Sequence, residues 1–76
     1  MKSHAADLVH TLLEPAAHQE RTAEVAADVA HECERSGQRA SADVMWQTAR
    51  RCRVRALKLQ ADALAQIALR GGACLP

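Results

Sequence analysis

Small residues recur every seven positions in each half of the chain. The first row is Val9, Ala16, Ala23 and Ala30, and the second is Ala42, Ala49, Ala56 and Ala63. A seven-residue repeat holds one face of a helix towards a partner helix, and small side chains at that face let the two backbones approach closely. The pattern therefore predicts two helices that pack along an alanine seam.

Glycine marks the expected end of each helix. Gly37 and Gly71 each follow a long stretch of residues that favour helices, and glycine tolerates the left-handed conformation that closes a last helical turn. Ser41 is the expected N-cap of the second helix. A chain of 76 residues has room for one domain over 1–76. Within it we expect a helix over about 4–35, a loop at 37–41, a helix over about 42–70 and a flexible tail at 71–76.

Pro15 interrupts the first predicted helix. Proline lacks an N–H group, and its ring collides with the carbonyl one turn earlier. We expect a kink at this point or a break that divides the first helix in two, with Pro15 opening the second piece.

The short loop requires the two helices to run antiparallel. The register we favour places Ala30 opposite Ala49, and it places Cys33 opposite Trp46 in the neighbouring row. A shift of one heptad would also align alanines but would leave less room for the loop.

The composition agrees with an all-α fold. The chain has 17 alanines, three glycines and two prolines, and Trp46 is its single aromatic residue. An all-β fold would need β-branched residues, aromatic residues and frequent turn signals. Alanine, leucine, arginine and glutamate instead favour helices.

One seam between two helices cannot cover all of the large apolar side chains. A small chain without disulfides or metal commonly gains a core by oligomerisation. We therefore expect a homodimer in which two hairpins form a four-helix bundle. The candidate interface residues for this dimer or for a protein partner are Leu8, Leu12, Val25, Val29, Met45, Trp46, Leu57, Leu64 and Ile67.

Charge is divided unevenly between the two halves. Residues 3–36 carry seven acidic and two basic residues, whereas residues 38–70 carry seven basic and two acidic ones. The densest basic cluster could follow nucleic-acid phosphates. Its candidates are Arg50, Arg51, Arg55 and Lys58. The interpretation we favour is that these cations pair with the acidic first helix, because the net charge is only +1 and the cluster lacks aromatic residues for base stacking.

Histidine and carboxylate residues in the first half form a second candidate site. The spacings i, i+3 and i, i+4 place pairs of them on one helix face, as in metal-binding helical bundles. The candidate ligands are His10, Glu14, His18, Asp28 and His31. A solvated helix face is the interpretation we favour, and we expect no metal or other cofactor.

No nucleophile with an adjacent base and no glycine-rich phosphate loop can be recognised, so we expect no enzymatic activity. The chain lacks a secretory signal and any apolar run long enough to cross a membrane, and it has an odd number of cysteines, Cys33, Cys52 and Cys74. These features predict a cytoplasmic protein with reduced thiols and no membrane association. The expected function is a non-catalytic interaction or regulatory protein that self-associates and binds a protein partner. RNA binding and metal binding are the alternatives.

Overall fold

The computed structural model describes the backbone of residues 4–71 and the side chains of residues 6–70. Two α-helices, α1 (His4–Arg35) and α2 (Arg39–Gly71), pack against each other along their lengths. The described residues contain no strand. The prediction of an all-α antiparallel hairpin is confirmed. Apart from Gly71, which ends α2, the predicted tail at 71–76 lies outside the described residues, as does Cys74.

The expected break at Pro15 does not occur, because α1 continues through this residue. Proline removes a single backbone hydrogen bond, and the seam holds the helix directly beyond it, where Ala16 is buried. Pro15 itself is exposed. The packing against α2 therefore maintains one long helix where the local preference alone favours an interruption.

A tight turn joins the helices, and it is shorter than the expected loop at 37–41. Gly37 has a φ of +77°, so it adopts the left-handed conformation that its sequence position predicts. The Gln38 amide donates to the Cys33 carbonyl at 2.8 Å and the Gly37 amide donates to the Glu34 carbonyl at 3.1 Å, which together form a Schellman motif. Gln38 then begins the next helix at once, because its carbonyl accepts from the Ala42 amide at 3.0 Å.

This turn places Ser41 inside the first turn of α2, so the prediction that it is the N-cap was wrong. The Schellman motif uses Gln38 as its last residue, and the same residue can open α2 without an additional loop. The preference of serine for N-cap positions was outweighed by the geometry of the preceding helix end.

The core between the helices consists of small side chains. Every alanine in the two seven-residue rows is buried, together with Ala26 and Cys52. No large side chain within residues 6–70 is fully buried. Helices that meet through methyl groups can approach to about 8 Å, the lower limit for packed helices. The alanine seam predicted from the sequence is confirmed.

The neighbouring row was assigned to the wrong side of the seam. Trp46 contacts His31, with ring centroids 4.9 Å apart and rings nearly perpendicular at 87°, whereas Cys33 shares a surface groove with Met45. In an antiparallel pair, the row that follows the seam by three residues in one helix lies on the same side of the hairpin as the row that follows the seam by three residues in the other helix. Cys33 and Met45 each follow a seam alanine by three residues, but Trp46 follows one by four.

A bulky residue at the seam should weaken the fold. We expect Ala49→Leu, at a position that is 0% exposed, to lower the free energy of unfolding by about 1–3 kcal/mol, because the added atoms force the helices apart. Ala61→Leu is the matched control, since Ala61 is exposed on the same helix. Urea unfolding followed by circular dichroism measures both. Equal stability of the two variants would contradict a closely packed seam.

Candidate functional site

One broad face of the hairpin carries no charge. We define the uncharged face as three seven-residue rows within the helices, namely the two α1 rows that begin at Leu8 and Leu12 and the α2 row that begins at Met45. Its α1 members are Leu8, Leu12, Pro15, Gln19, Thr22, Ala26, Val29 and Cys33, and its α2 members are Met45, Cys52, Leu59 and Gln66. None of the twelve is charged, although 25% of the whole chain is charged.

Both helices contribute to the uncharged face. Near the turn, Val29 and Cys33 of α1 line a shallow groove with Val44 and Met45 of α2. Ala26 and Cys52 are buried at its centre, while Leu8, Leu12 and Leu59 are partly exposed. The two helices therefore present one continuous surface of apolar and neutral polar groups.

The opposite face combines apolar and charged residues. We define the charged face as the rows on the other side of the seam, which follow a seam alanine by one or four positions in either helix. Glu20, Glu24, Arg53 and Leu57 line one groove on this face, and the ring contact between His31 and Trp46 lies near its turn end. Leu57 and Leu64 are 64% and 53% exposed, so large apolar side chains are accessible here as well.

The predicted interface residues are thus divided between two faces. Leu8, Leu12, Val29 and Met45 belong to the uncharged face, and Val25 is exposed on α1 one row further out. The charged face holds the rest, namely Trp46, Leu57, Leu64 and Ile67. The structure does not bring these two sets together. Sequence reasoning missed the neutral members of the uncharged face, such as Gln19 and Thr22, because it selected large apolar residues instead of rows without charge.

The basic candidates are brought together. Arg50, Arg51, Arg55 and Lys58 line one shallow groove on the outer surface of α2, with Gln47 and Val54 between them. We call these four cations the basic strip. Three rows of α2 contribute to it, so the strip lies on the side of α2 that is turned away from α1.

The expected pairing of these cations with α1 is not observed. All four close contacts between a carboxylate and an arginine or histidine side chain among the described residues join two residues of α1. These contacts join His10 with Glu14, Arg21 with Glu14, His31 with Glu34, and Arg35 with Glu32. The interpretation that the acidic helix pairs with these four cations was wrong, because the basic strip lies on the outer surface of α2 and three of the α1 carboxylates contact basic side chains of their own helix instead.

The structure does not gather the metal-ligand candidates. The described side chains include no group of three metal-ligating residues. Glu14 accepts a hydrogen bond of 2.7 Å from Arg21, and His10 lies 3.9 Å from the same carboxylate. His31 lies 3.6 Å from Glu34 instead of pairing with Asp28. His18 and Asp28 are exposed. These residues form a solvated helix surface.

A scan against protein-family models found no matching family, and searches of curated proteins and of solved structures found no match either. Neither helix has, within the described residues, the long apolar stretch needed to cross a membrane. The geometry of the hairpin is therefore the basis for any functional conclusion.

The contact between Arg21 and Glu14 should be visible in a titration. The hydrogen bond and the positive charge of Arg21 hold the pKa of the Glu14 carboxyl below its ordinary value. A lowered pKa means that the pair stabilises the fold above the pKa of the unfolded chain and that this effect is lost as the pH falls through the folded value. We expect Arg21→Gln to raise the pKa of Glu14, measured by carboxyl NMR. An unchanged pKa would show that the contact is absent in solution.

Proposed function

We propose that this protein is a non-catalytic interaction protein that self-associates through its uncharged face. The observation that carries the proposal is the absence of charge from twelve adjacent positions on one side of the hairpin. Charged residues are depleted from the centres of protein interfaces because burying an unpaired charge is costly. A solvated helix surface has no comparable reason to exclude them.

The size of the hairpin supports a stable interface. Its principal extents are 55 × 25 × 15 Å, so a broad face can cover the roughly 800 Å² per partner that is typical of a specific complex. The alanine core is small, and larger side chains such as Leu12, Met45 and Leu59 remain only partly covered. Two hairpins stacked through this face would bury them and form a four-helix bundle.

The chemistry of this face suits a second copy of the same chain. A face without charge requires no complementary charge from its partner, and a two-fold axis can place it against itself. Arg55 and Asp62 occupy the next row of α2 outwards. They would lie at the rim of the interface, where charged residues are tolerated because they remain in contact with water.

The charged face is the surface that we assign to a different protein. Leu57 and Leu64 are exposed there, and Glu20, Glu24 and Arg53 lie beside them. Apolar anchors bordered by charges of both signs are typical of surfaces that bind other proteins reversibly. This surface stays open when the uncharged face is covered by a second copy.

A charge placed on the uncharged face should prevent dimer formation. We expect the wild-type protein to sediment as a dimer and Val29→Glu to weaken the dimer by about 100-fold or more, because each interface would contain two unpaired carboxylates. Val29 is 41% exposed in the hairpin, so the substitution should leave the helices folded. Sedimentation equilibrium gives the dissociation constant, and circular dichroism verifies the helix content.

Leu64→Glu is the matched control. It adds the same charge at a side chain that is 53% exposed, but on the opposite face, and we expect it to leave the dimer intact. A wild-type monomer would overturn the proposal. Loss of the dimer in Leu64→Glu but not in Val29→Glu would show that the protein associates through the charged face.

A further inference from the structure

The basic strip is concentrated positive charge that the fold does not neutralise. Arg50, Arg51, Arg55 and Lys58 line one groove, and none of them has a carboxylate within ion-pair distance among the residues whose side chains are described. The two acidic residues of α2, Asp43 and Asp62, do not line this groove. The field of the four cations is therefore directed into solvent.

This arrangement works against the stability of α2. Arg51 and Arg55 are four positions apart, so two like charges are neighbours on the same helix surface, which destabilises a helix. Residues that only keep a helix soluble could lie beside residues of opposite charge, as Glu14 lies beside Arg21 in α1. An unbalanced cluster is explained more simply by a ligand that supplies the negative charge.

We propose that the basic strip binds the phosphate backbone of a nucleic acid. The groove runs from Gln47 to Lys58, which corresponds to roughly 16 Å along a helix and can reach several successive phosphates. Three of the four cations are arginines, whose planar guanidinium groups can donate two parallel hydrogen bonds to one phosphate. The strip contains no aromatic side chain for base stacking, so the binding is independent of base sequence.

The same residues are less suited to an anionic membrane surface. Val54 is the only apolar side chain among the six that line the groove. A helix that lies in a membrane interface needs an apolar face beside its basic residues to bury in the lipid. The more apolar part of α2 lies further along the helix, towards Leu64 and Leu69.

This inference does not depend on self-association. The basic strip faces away from the seam, and only Arg55 lies next to the uncharged face. A monomer would present one strip, and a dimer formed through the uncharged face would present two.

The test is fluorescence anisotropy of a labelled 20-base-pair DNA duplex of arbitrary sequence, titrated with the full chain at several salt concentrations. Four phosphate contacts predict a slope of log K against log salt of about −3.6, and therefore about a 100-fold loss of affinity between 50 and 200 mM salt. Arg51→Gln with Arg55→Gln should reduce the slope to about half. Arg51→Lys with Arg55→Lys keeps the charge and should retain most of the slope.

Arg39→Gln with Arg70→Gln is the matched control, because it removes the same two charges from the ends of α2 outside the groove. We expect it to leave the slope unchanged. The proposal is overturned if the duplex does not bind at 50 mM salt, or if the control pair weakens binding as much as the strip pair. It is also overturned if vesicles containing phosphatidylserine bind through Arg51 and Arg55 while the duplex does not.

Discussion

The close contact of two helices through methyl groups determines the rest of this structure. A seam built from residues such as Ala23, Ala49 and Ala56 excludes larger side chains from the line where the helices meet. Each buried methyl group contributes only about 0.8 kcal/mol, so the seam must be long, and both helices exceed 30 residues. The larger apolar residues are displaced to the two sides of the seam. Large apolar side chains such as Leu57 and Leu64 consequently remain exposed on the hairpin.

The charges follow from the same geometry. The three rows of the uncharged face contain no charged residue, whereas Arg55 and Asp62 lie in the next row of α2 outwards. The acidic residues of α1 lie on the other side of the seam and on the outer surface of α1. Glu14, Glu32 and Glu34 contact basic side chains of α1, and no carboxylate among the described side chains lies within ion-pair distance of the basic strip, so the strip is not neutralised by close ion pairs inside the hairpin. An uncharged face and a separate basic strip are thus two results of one arrangement, and they can act independently.

Periodicity was sufficient to predict the hairpin. The seven-residue rows identified the buried alanines, and Gly37 marked the turn with the backbone conformation that glycine permits. Local signals were less reliable. Pro15 suggested a kink or a break, and α1 continues through it without a break, whereas Ser41 suggested a cap that Gln38 supplies through the Schellman turn. In both cases the interactions of neighbouring residues outweighed the preference of a single residue: seam packing at Pro15 and the hydrogen bonds of the turn at Ser41.

The candidate sites were harder to predict because they depend on which side of the seam each row occupies. Cys33 and Trp46 lie in rows that look adjacent in sequence, but antiparallel packing sends them to opposite faces. The four basic candidates lie in one groove, but their expected pairing with α1 is not observed, since the net charge of a chain does not say which way its side chains point. The orientation of Arg51 and Lys58 away from α1 becomes clear only when the two helices are in place.

The central claim is that the hairpin is completed by a second copy of itself. The concentration dependence of the thermal unfolding midpoint, followed by circular dichroism, tests this claim most directly, since association with the folded state raises the midpoint as protein concentration increases. We predict a steady increase in the midpoint over a 100-fold range of concentration. A midpoint that is independent of concentration over that range would contradict the account.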